Sequence, residues 1–401
     1  MLSQPIVFGR PSAGTREKNM LIAKQSFVFC RRLFNTVEVS KKCTVLIPKF
    51  ESLIGHTNVV TSHGQCEQFN RDEGHFPHCT PDVVLRPNST EEVSAILRLC
   101  NEEKVPVTAS GTRTGIEGAS IPIHKGVVLD MMAMNQILAV NESDFDCQVE
   151  PGVTRHQLND NIRDTGLFFS VEFLDENQMD ACIKFSNLAM SAKPTLFLEF
   201  HGATDDEVQK QAKTAKEVCE SNDGIDFKWS SESDRINELW KARHTAYYAT
   251  LAQRPNSYGF STDVCVPLSR LVEVVTQAQT EMENLNLKGT IVGHVGEGNF
   301  HCLFACSEEE VEEMRRIWEF SDKIVKIALA AGGTCTGEHG VGLGKRAYLQ
   351  EEFGEVTLKL MESLKKTLDP NGILNPGKIF LYPDAPAGSV TSPVNNTTKF
   401  A

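Results

Sequence analysis

Residues 289–304, GTIVGHVGEGNFHCLF, constrain the fold more than any other stretch. Two short apolar runs, 290–295 and 300–304, flank Gly296, Glu297, Gly298 and Asn299, a turn-forming cluster. The pattern predicts a β-hairpin. With those four residues as the loop, Val295 faces Phe300 and His294 faces His301 across the ladder. Directly opposed residues share a sheet face with Cβ atoms roughly 4.5–5.5 Å apart, so both imidazoles can reach one metal ion. A lone histidine in a strand is more often a core or surface residue, and it is the paired register that makes these two candidate ligands. The best third donor is Glu338 in Gly337-Glu338-His339-Gly340, where glycines let the backbone approach a ligand closely. Two histidines and a carboxylate with one position open form the donor set of a catalytic rather than a structural zinc-type site.

A chain of 401 residues has material for two or three domains. Its formal charge of −13 argues against a nucleic-acid partner, which needs a basic face. No apolar run reaches membrane-spanning length, so no transmembrane segment is expected. The twelve cysteines are scattered without a C-x-x-C pair, which fits reduced thiols in an intracellular compartment. Residues 1 to about 60 differ from the rest: Arg10, Arg16, Lys18, Lys24, Arg31 and Arg32 stand among Phe and Leu with few acids, the composition of an organelle-targeting presequence.

From Asp82 onward strands and helices alternate. A strand over 83–85 precedes a helix over 89–104, where Ser89 and Glu92 have capping-box spacing, and 105–109 returns as a strand to close a β-α-β unit. The connection Ser110-Gly111-Thr112-Arg113-Thr114-Gly115-Ile116-Glu117-Gly118 offers backbone N–H groups, threonine hydroxyls and a guanidinium, a concave donor surface suited to a pyrophosphate. It is not a G-x-G-x-x-G fingerprint, and by itself a solvated glycine turn accounts for it as well. Strands over 127–130 and 147–150 follow, then a helix opened by Thr154 and Gln157. There the pattern fails. Residues 167–175, LFFSVEFLD, run one apolar segment into the next with no turn residue, and the small sheet begun at Val83 lacks partners to cover both its faces. Beyond Leu174 the alternation resumes: helix 177–192, strand 195–200, a helix from Thr204 with Glu207 in capping position, strand 225–229, and the helix carrying Trp240 and Arg243. Strand 259–266, helix 268–285, the hairpin and helix 308–331 complete an α+β domain with a helix-backed antiparallel sheet. A helix over 356–368 ends at Asp369-Pro370-Asn371-Gly372, and residues 382–401 read as a disordered tail.

Four motifs stand in order: TRTGIEGA at 112–119, GHVGEGNFH at 293–301, TGEHGVGLGKR at 336–346 and LDPNGILNPGK at 368–378. Over roughly residues 65–381 the chain thereby resembles the family of mitochondrial FAD-dependent D-lactate dehydrogenases that use cytochrome c. That family belongs with glycolate oxidase and D-2-hydroxyglutarate dehydrogenase in the vanillyl-alcohol-oxidase-like flavoprotein group. The resemblance implies a vanillyl-alcohol-oxidase-like FAD-binding domain plus an α+β cap domain over the flavin. Residues 1–60 would be the presequence, 61–170 a truncated FAD-binding domain, 171–335 the cap with its metal site, and 336–381 a segment returning to the FAD domain. It further implies that Gly111, Thr112, Arg113, Thr114, Gly115 and Gly118 lie against the FAD pyrophosphate, with Asn375 and Lys378 as C-terminal FAD contacts. His294, His301 and Glu338 would hold a divalent metal, zinc or manganese; His339 would be the catalytic base. Arg243 would clamp the substrate carboxylate, and Asn299 would touch the substrate. The implied activity is oxidation of D-lactate or a related D-2-hydroxy acid to the 2-oxo acid, with electrons passed to cytochrome c, in mitochondria.

The chain departs from that family in one place. Between Phe169 and Val171 the family continues with a Pro-x-Asp-Pro-Gly segment, a Gly/Ala/Ser-rich cofactor-binding stretch and a Gly-Ser-Glu-Gly-type strand. On the order of a hundred residues, the size of a small domain, have no counterpart at Ser170. A skipped exon, a gene-model error and a genuinely shortened product all fit. The expectation is a chain that keeps the metal site and one FAD loop, binds FAD weakly or not at all, and has little dehydrogenase activity. Alternatives are a D-2-hydroxyglutarate or glycolate dehydrogenase, or a noncatalytic product retaining a metal-binding cap domain. A zinc hydrolase shares the donor set but leaves Asn375-Pro376-Gly377-Lys378 and the 110–118 loop without a role.

Overall fold

Five apolar residues at helical spacing, Val39, Cys43, Leu46, Phe50 and Ile54, give helix α1 (Thr36–Ile54) one buried face. The structure is a computed structural model that describes residues 36–141, 146–162, 172–200, 204–307 and 309–380. The presequence boundary expected at residue 60 is therefore corrected. Phe50 and its neighbours pack against Val83, Leu85 and Ile96, so residues 36–60 belong to the first core. The remainder of the expected presequence, 1–35, and the expected tail, 382–401, lie outside the described residues.

Strands β1 (Val59–Val60), β2 (Val83–Leu85), β3 (Val107–Ser110) and β4 (Val127–Asp130) form a sheet in the order β1-β2-β4-β3, parallel except for the β1 edge. Helix α2 (Thr90–Glu103) starts where expected, with the Ser89 hydroxyl accepting the Glu92 N–H at 3.3 Å. Helices α1 and α2 cover one sheet face, while Cys66 and Phe69 pack with Val60, Val84 and Val128 on the other. The uncovered face expected from the sequence is thus absent: the 63–69 segment, which carries no strand or long-helix signal, fills it. Strands β5 (Ile137–Asn141) and β6 (Asp146–Val149) pair with each other and, among the described residues, with no other strand, and β6 is exposed throughout. Helix α3 (Arg155–Ile162) opens with the Thr154 hydroxyl accepting the Gln157 N–H at 3.2 Å. The junction at Ser170 lies outside the described residues.

The larger sheet is antiparallel throughout. Strands β7 (Glu172–Leu174), β8 (Thr195–Phe197), β9 (Tyr258–Ser261), β10 (Val264–Cys265), β11 (Thr290–Gly293) and β12 (Asn299–Cys306) run in the order β10-β12-β11-β7-β8, with β9 also on β12. Side chains alternate between two cores, as the strand period requires. Ile291, Phe300, Cys302 and Phe304 face the core shared with Val274 and Phe320, and Leu174, Val292 and Leu303 face the core shared with Met179 and Trp240. The strand expected over 225–229 does not form. Asp226 takes a left-handed φ of 60° that interrupts extension, and Ile225 stays 76% exposed. The strand expected over 259–266 is split at Thr262 and Asp263, both buried.

The last helix spans Leu349–Leu368, starting earlier than expected and kinked at Gly354 (φ 76°). After it the chain returns to the first sheet. Leu374 bridges to Val107, and the Asn375 N–H donates to the Val107 carbonyl at 2.8 Å. Among the described residues the cysteines are free, and no helix is long and apolar enough to cross a membrane.

Candidate active site

The hairpin forms with a corrected register. Val292, not His294, faces His301, because the turn begins at His294, whose carbonyl accepts the Glu297 N–H at 2.9 Å. Gly298 closes the loop at φ +81°, where a Cβ would come within 2.0 Å of the Val266 carbonyl oxygen. A slip of two residues preserves the sheet face. His294 and His301 therefore remain neighbours, with ring centroids 6.2 Å apart.

Glu338 reaches both. Its Oε1 lies 3.1 Å from His294 Nε2 and 3.0 Å from His301 Nε2. Donors this close can share a cation bound at roughly 2.0–2.2 Å. The hydrogen bonds from the two imidazoles hold the Glu338 carboxyl far below the usual range. Burial works to lower His294, but Glu172 and Glu338 on either side raise it to about 9. His301 Nδ1 lies 3.1 Å from the Thr262 carbonyl, and donating there leaves Nε2 for ligation.

Asp263 assembles the loop that carries Glu338. Its Oδ2 accepts from the Thr336 hydroxyl at 2.8 Å, the Gly337 N–H at 2.8 Å and the His339 N–H at 3.1 Å, and its Oδ1 accepts the Glu338 N–H at 3.1 Å. Although burial raises its carboxyl, His301 and His339 more than offset that and keep it below the usual range. Gly337 must be glycine here: a Cβ would fall 2.1 Å from Asn299 Oδ1 and 2.5 Å from Asp263 Oδ1. Asn299 Oδ1 is buried without a hydrogen-bond partner. The His339 ring stands 5.4 Å from that of His301, and burial pushes it below its ordinary value against the pull of Asp263. Arg243, from the helix Ser233–His244, donates its Nε–H to buried Glu172 and places Nη2 3.3 Å from His294 Nε2.

The structure thus gathers His294, His301, Glu338, His339, Arg243 and Asn299 into one site. Two further members carry no motif in the sequence, Glu172 and Asp263. The available signal for Asp263 was a charged residue in the middle of an apolar run.

The 110–118 loop is a separate element. Gly111 and Gly115 face open space, and the Thr112 and Thr114 hydroxyls lie 3.0 Å apart on an exposed surface. Two expected cofactor contacts are engaged by protein instead. The Arg113 guanidinium stacks 4.4 Å from the Phe69 ring centroid, and Lys378 Nζ donates to the Ala119 and Ile121 carbonyls at 2.7 and 2.8 Å. Gly118 (φ +71°) packs against Leu343, and Glu117 lies 3.8 Å from Lys345 with both side chains 5% exposed. Burial pushes the Glu117 carboxyl up to about 8. Open space at Gly111 and Gly115, with a buried Asn375 Oδ1 lacking a partner, fits a dinucleotide cofactor.

Comparison with known proteins decides the family. The family model "FAD linked oxidases, C-terminal domain" matches residues 160–379, and the model "FAD binding domain" matches residues 81–180. The chain belongs to the FAD-linked oxidases. This FAD-linked oxidase is 32% identical over 454 residues to the probable mitochondrial D-lactate dehydrogenase of Danio rerio, covering 83% of this chain and 91% of that protein. It is 30% identical to the mitochondrial D-lactate dehydrogenase (cytochrome) of Arabidopsis thaliana, covering 75% of this chain and 73% of the relative. Among solved structures, substrate-bound p-cresol methylhydroxylase superposes with a TM-score of 0.64 at 14% identity, covering 84% of this chain and 96% of that one. The fold is accordingly the vanillyl-alcohol-oxidase-like FAD-binding fold with an α+β cap, and the protein is an FAD-dependent oxidoreductase.

Proposed function

We propose that this FAD-linked oxidase oxidises D-lactate, or a closely related D-2-hydroxy acid, to the 2-oxo acid at a divalent cation held by His294, His301 and Glu338. One observation carries the reading: two imidazole nitrogens converge on Oε1 of Glu338, making three cation donors in all, with a guanidinium nitrogen 3.3 Å from one of the imidazoles. A 2-hydroxy acid presents a hydroxyl and a carboxylate on adjacent carbons, which this pairing matches. The names of the relatives support D-lactate as the acid and mitochondria as the location, and the Arabidopsis thaliana name supports a cytochrome, in our reading cytochrome c, as the electron acceptor.

A bound cation would lower the pKa of the substrate hydroxyl, and bound FAD would take up the hydride. His339, kept neutral by burial, accepts the hydroxyl proton. Arg243 binds the carboxylate and fixes which face of the α-carbon is presented. Asn299, with an unsatisfied amide oxygen beside Gly337, orients the substrate. Gly111, Thr112, Thr114, Gly115 and Asn375 hold the cofactor, while Arg113 and Lys378 brace the loop around it.

We also read the chain as lacking a block of the FAD cradle. Its alignment with the Danio rerio relative is 454 residues long, longer than the chain itself, so that relative has residues with no counterpart here. The β5–β6 ladder, which among the described residues pairs with no third strand, supports the same reading. The test is to purify the chain and measure metal content, flavin absorbance, and binding and dye-linked oxidation of D- and L-lactate. The expected result is metal near one ion per chain, binding of D- but not L-lactate, sub-stoichiometric flavin and little dye reduction. A chain without metal, or one in which Arg243→Ala leaves D-lactate binding intact, defeats the site assignment. A yellow, active preparation defeats the truncated-cradle reading alone.

A further inference from the structure

Glu172 opens strand β7, is 2% exposed, and turns its two oxygens toward two different functional side chains. Its Oε1 lies 3.1 Å from His294 Nδ1, and its Oε2 accepts the Nε–H of Arg243. The first contact orients a ligand. With Nδ1–H donated to Glu172, the ring directs Nε2 toward Glu338 Oε1, 3.1 Å away, which is where a cation would replace the Nε2 proton. The second contact sets the guanidinium, whose Nη2 lies 3.3 Å from that same Nε2. A guanidinium this close to a ligating imidazole repels an incoming cation unless a carboxylate stands against both. One buried charge therefore serves both halves of the site.

We propose that Glu172 is a positioning residue that couples substrate-carboxylate binding at Arg243 to cation binding at His294. This rests on the reading of the site given above. Such coupling is reciprocal: the factor by which D-lactate tightens the cation equals the factor by which the cation tightens D-lactate.

The experiment is titration of the full chain with Mn2+ by electron paramagnetic resonance, with and without D-lactate, in the parent protein, Glu172→Gln, Glu172→Asp and Arg243→Met. A glutamine that keeps its oxygen on His294 turns its NH2 toward the Arg243 N–H, donor against donor. Glu172→Gln should weaken Mn2+ binding about 10–100-fold, as for other outer-shell partners of ligating histidines, and abolish the D-lactate effect. Glu172→Asp, which keeps the charge, should restore part of both. Arg243→Met should abolish the D-lactate effect while binding Mn2+ alone no more weakly than the parent. The inference is overturned if Glu172→Gln retains parental Mn2+ affinity or the D-lactate effect, or if Arg243→Met loses Mn2+ as fully as Glu172→Gln. Should Glu172→Gln fail to fold by circular dichroism, Glu172→Asp decides: a parental D-lactate effect in that variant overturns the proposal. A parent chain that binds no Mn2+ overturns the metal-centre reading itself, and a parent that binds Mn2+ with no D-lactate effect overturns the coupling alone.

Discussion

The six-stranded sheet and the β5–β6 ladder lie on either side of residues 163–171 and differ in how much of them is covered. Around the larger sheet, helices pack on both faces, and Ile291, Phe300 and Phe304 are almost completely buried. In the ladder, Leu138 is 59% and Val149 39% exposed, and a two-stranded pair alone is marginal in water. The difference teaches how firmly each part of the proposed chemistry is anchored. The groups proposed to hold cation and substrate sit on or beside a finished sheet, with Glu172 bonded to Arg243 and His294 and Asp263 bonded to the 336–339 loop. The groups proposed to bind flavin sit on the 110–118 loop, outside that sheet, where Thr112 and Thr114 are exposed.

The sharpest way to break this comparison is to remove a ligand. His301→Ala should cost more than the roughly 100-fold in cation affinity expected for an outer-shell partner, without unfolding the sheet, as read by Mn2+ titration and circular dichroism. Next, Ile291→Ala in the finished core should cost about 2–5 kcal/mol, measured by denaturant unfolding. A third test probes the seam between the 110–118 loop and the 342–345 segment. Glu117 has a folded pKa of about 8 against an ordinary 4.5, so the folded state keeps a proton that the unfolded chain releases. Stability should therefore fall as pH rises through that window, and Glu117→Gln should flatten the fall in the melting temperature. The smallest effect belongs to the ladder: Leu138→Ala should stay within about 0.5 kcal/mol. A core-sized loss there would mean that the ladder is covered, and would erase the contrast.

The parts of the molecule written in local chemistry were legible in sequence. The Ser89/Glu92 and Thr204/Glu207 caps, and strands β2 and β4, follow from spacing within a few residues. His294, His301 and Glu338 were readable because glycines and turn residues frame them. The hairpin register was not, since the Glu297 N–H closes the turn one residue earlier than the glycine cluster suggests. The roles of Glu172 and Asp263 could not be read for a different reason. Each acts across long stretches of chain, on residues 71 and 73 or more positions away, and no local pattern records such a partner. The packing of α1 escaped because a basic composition describes its exposed side, while Val39, Leu46 and Phe50 decide its place.

The bridge from Leu374 to Val107, with Lys378 held to the carbonyl of Ala119 from 259 positions away, also sets a timetable. The half that leaves the ribosome first cannot be latched until residues 374–378 have been translated. During that interval its three parallel strands wait with a missing neighbour, so a late stop codon would be felt first in the earliest-made sheet.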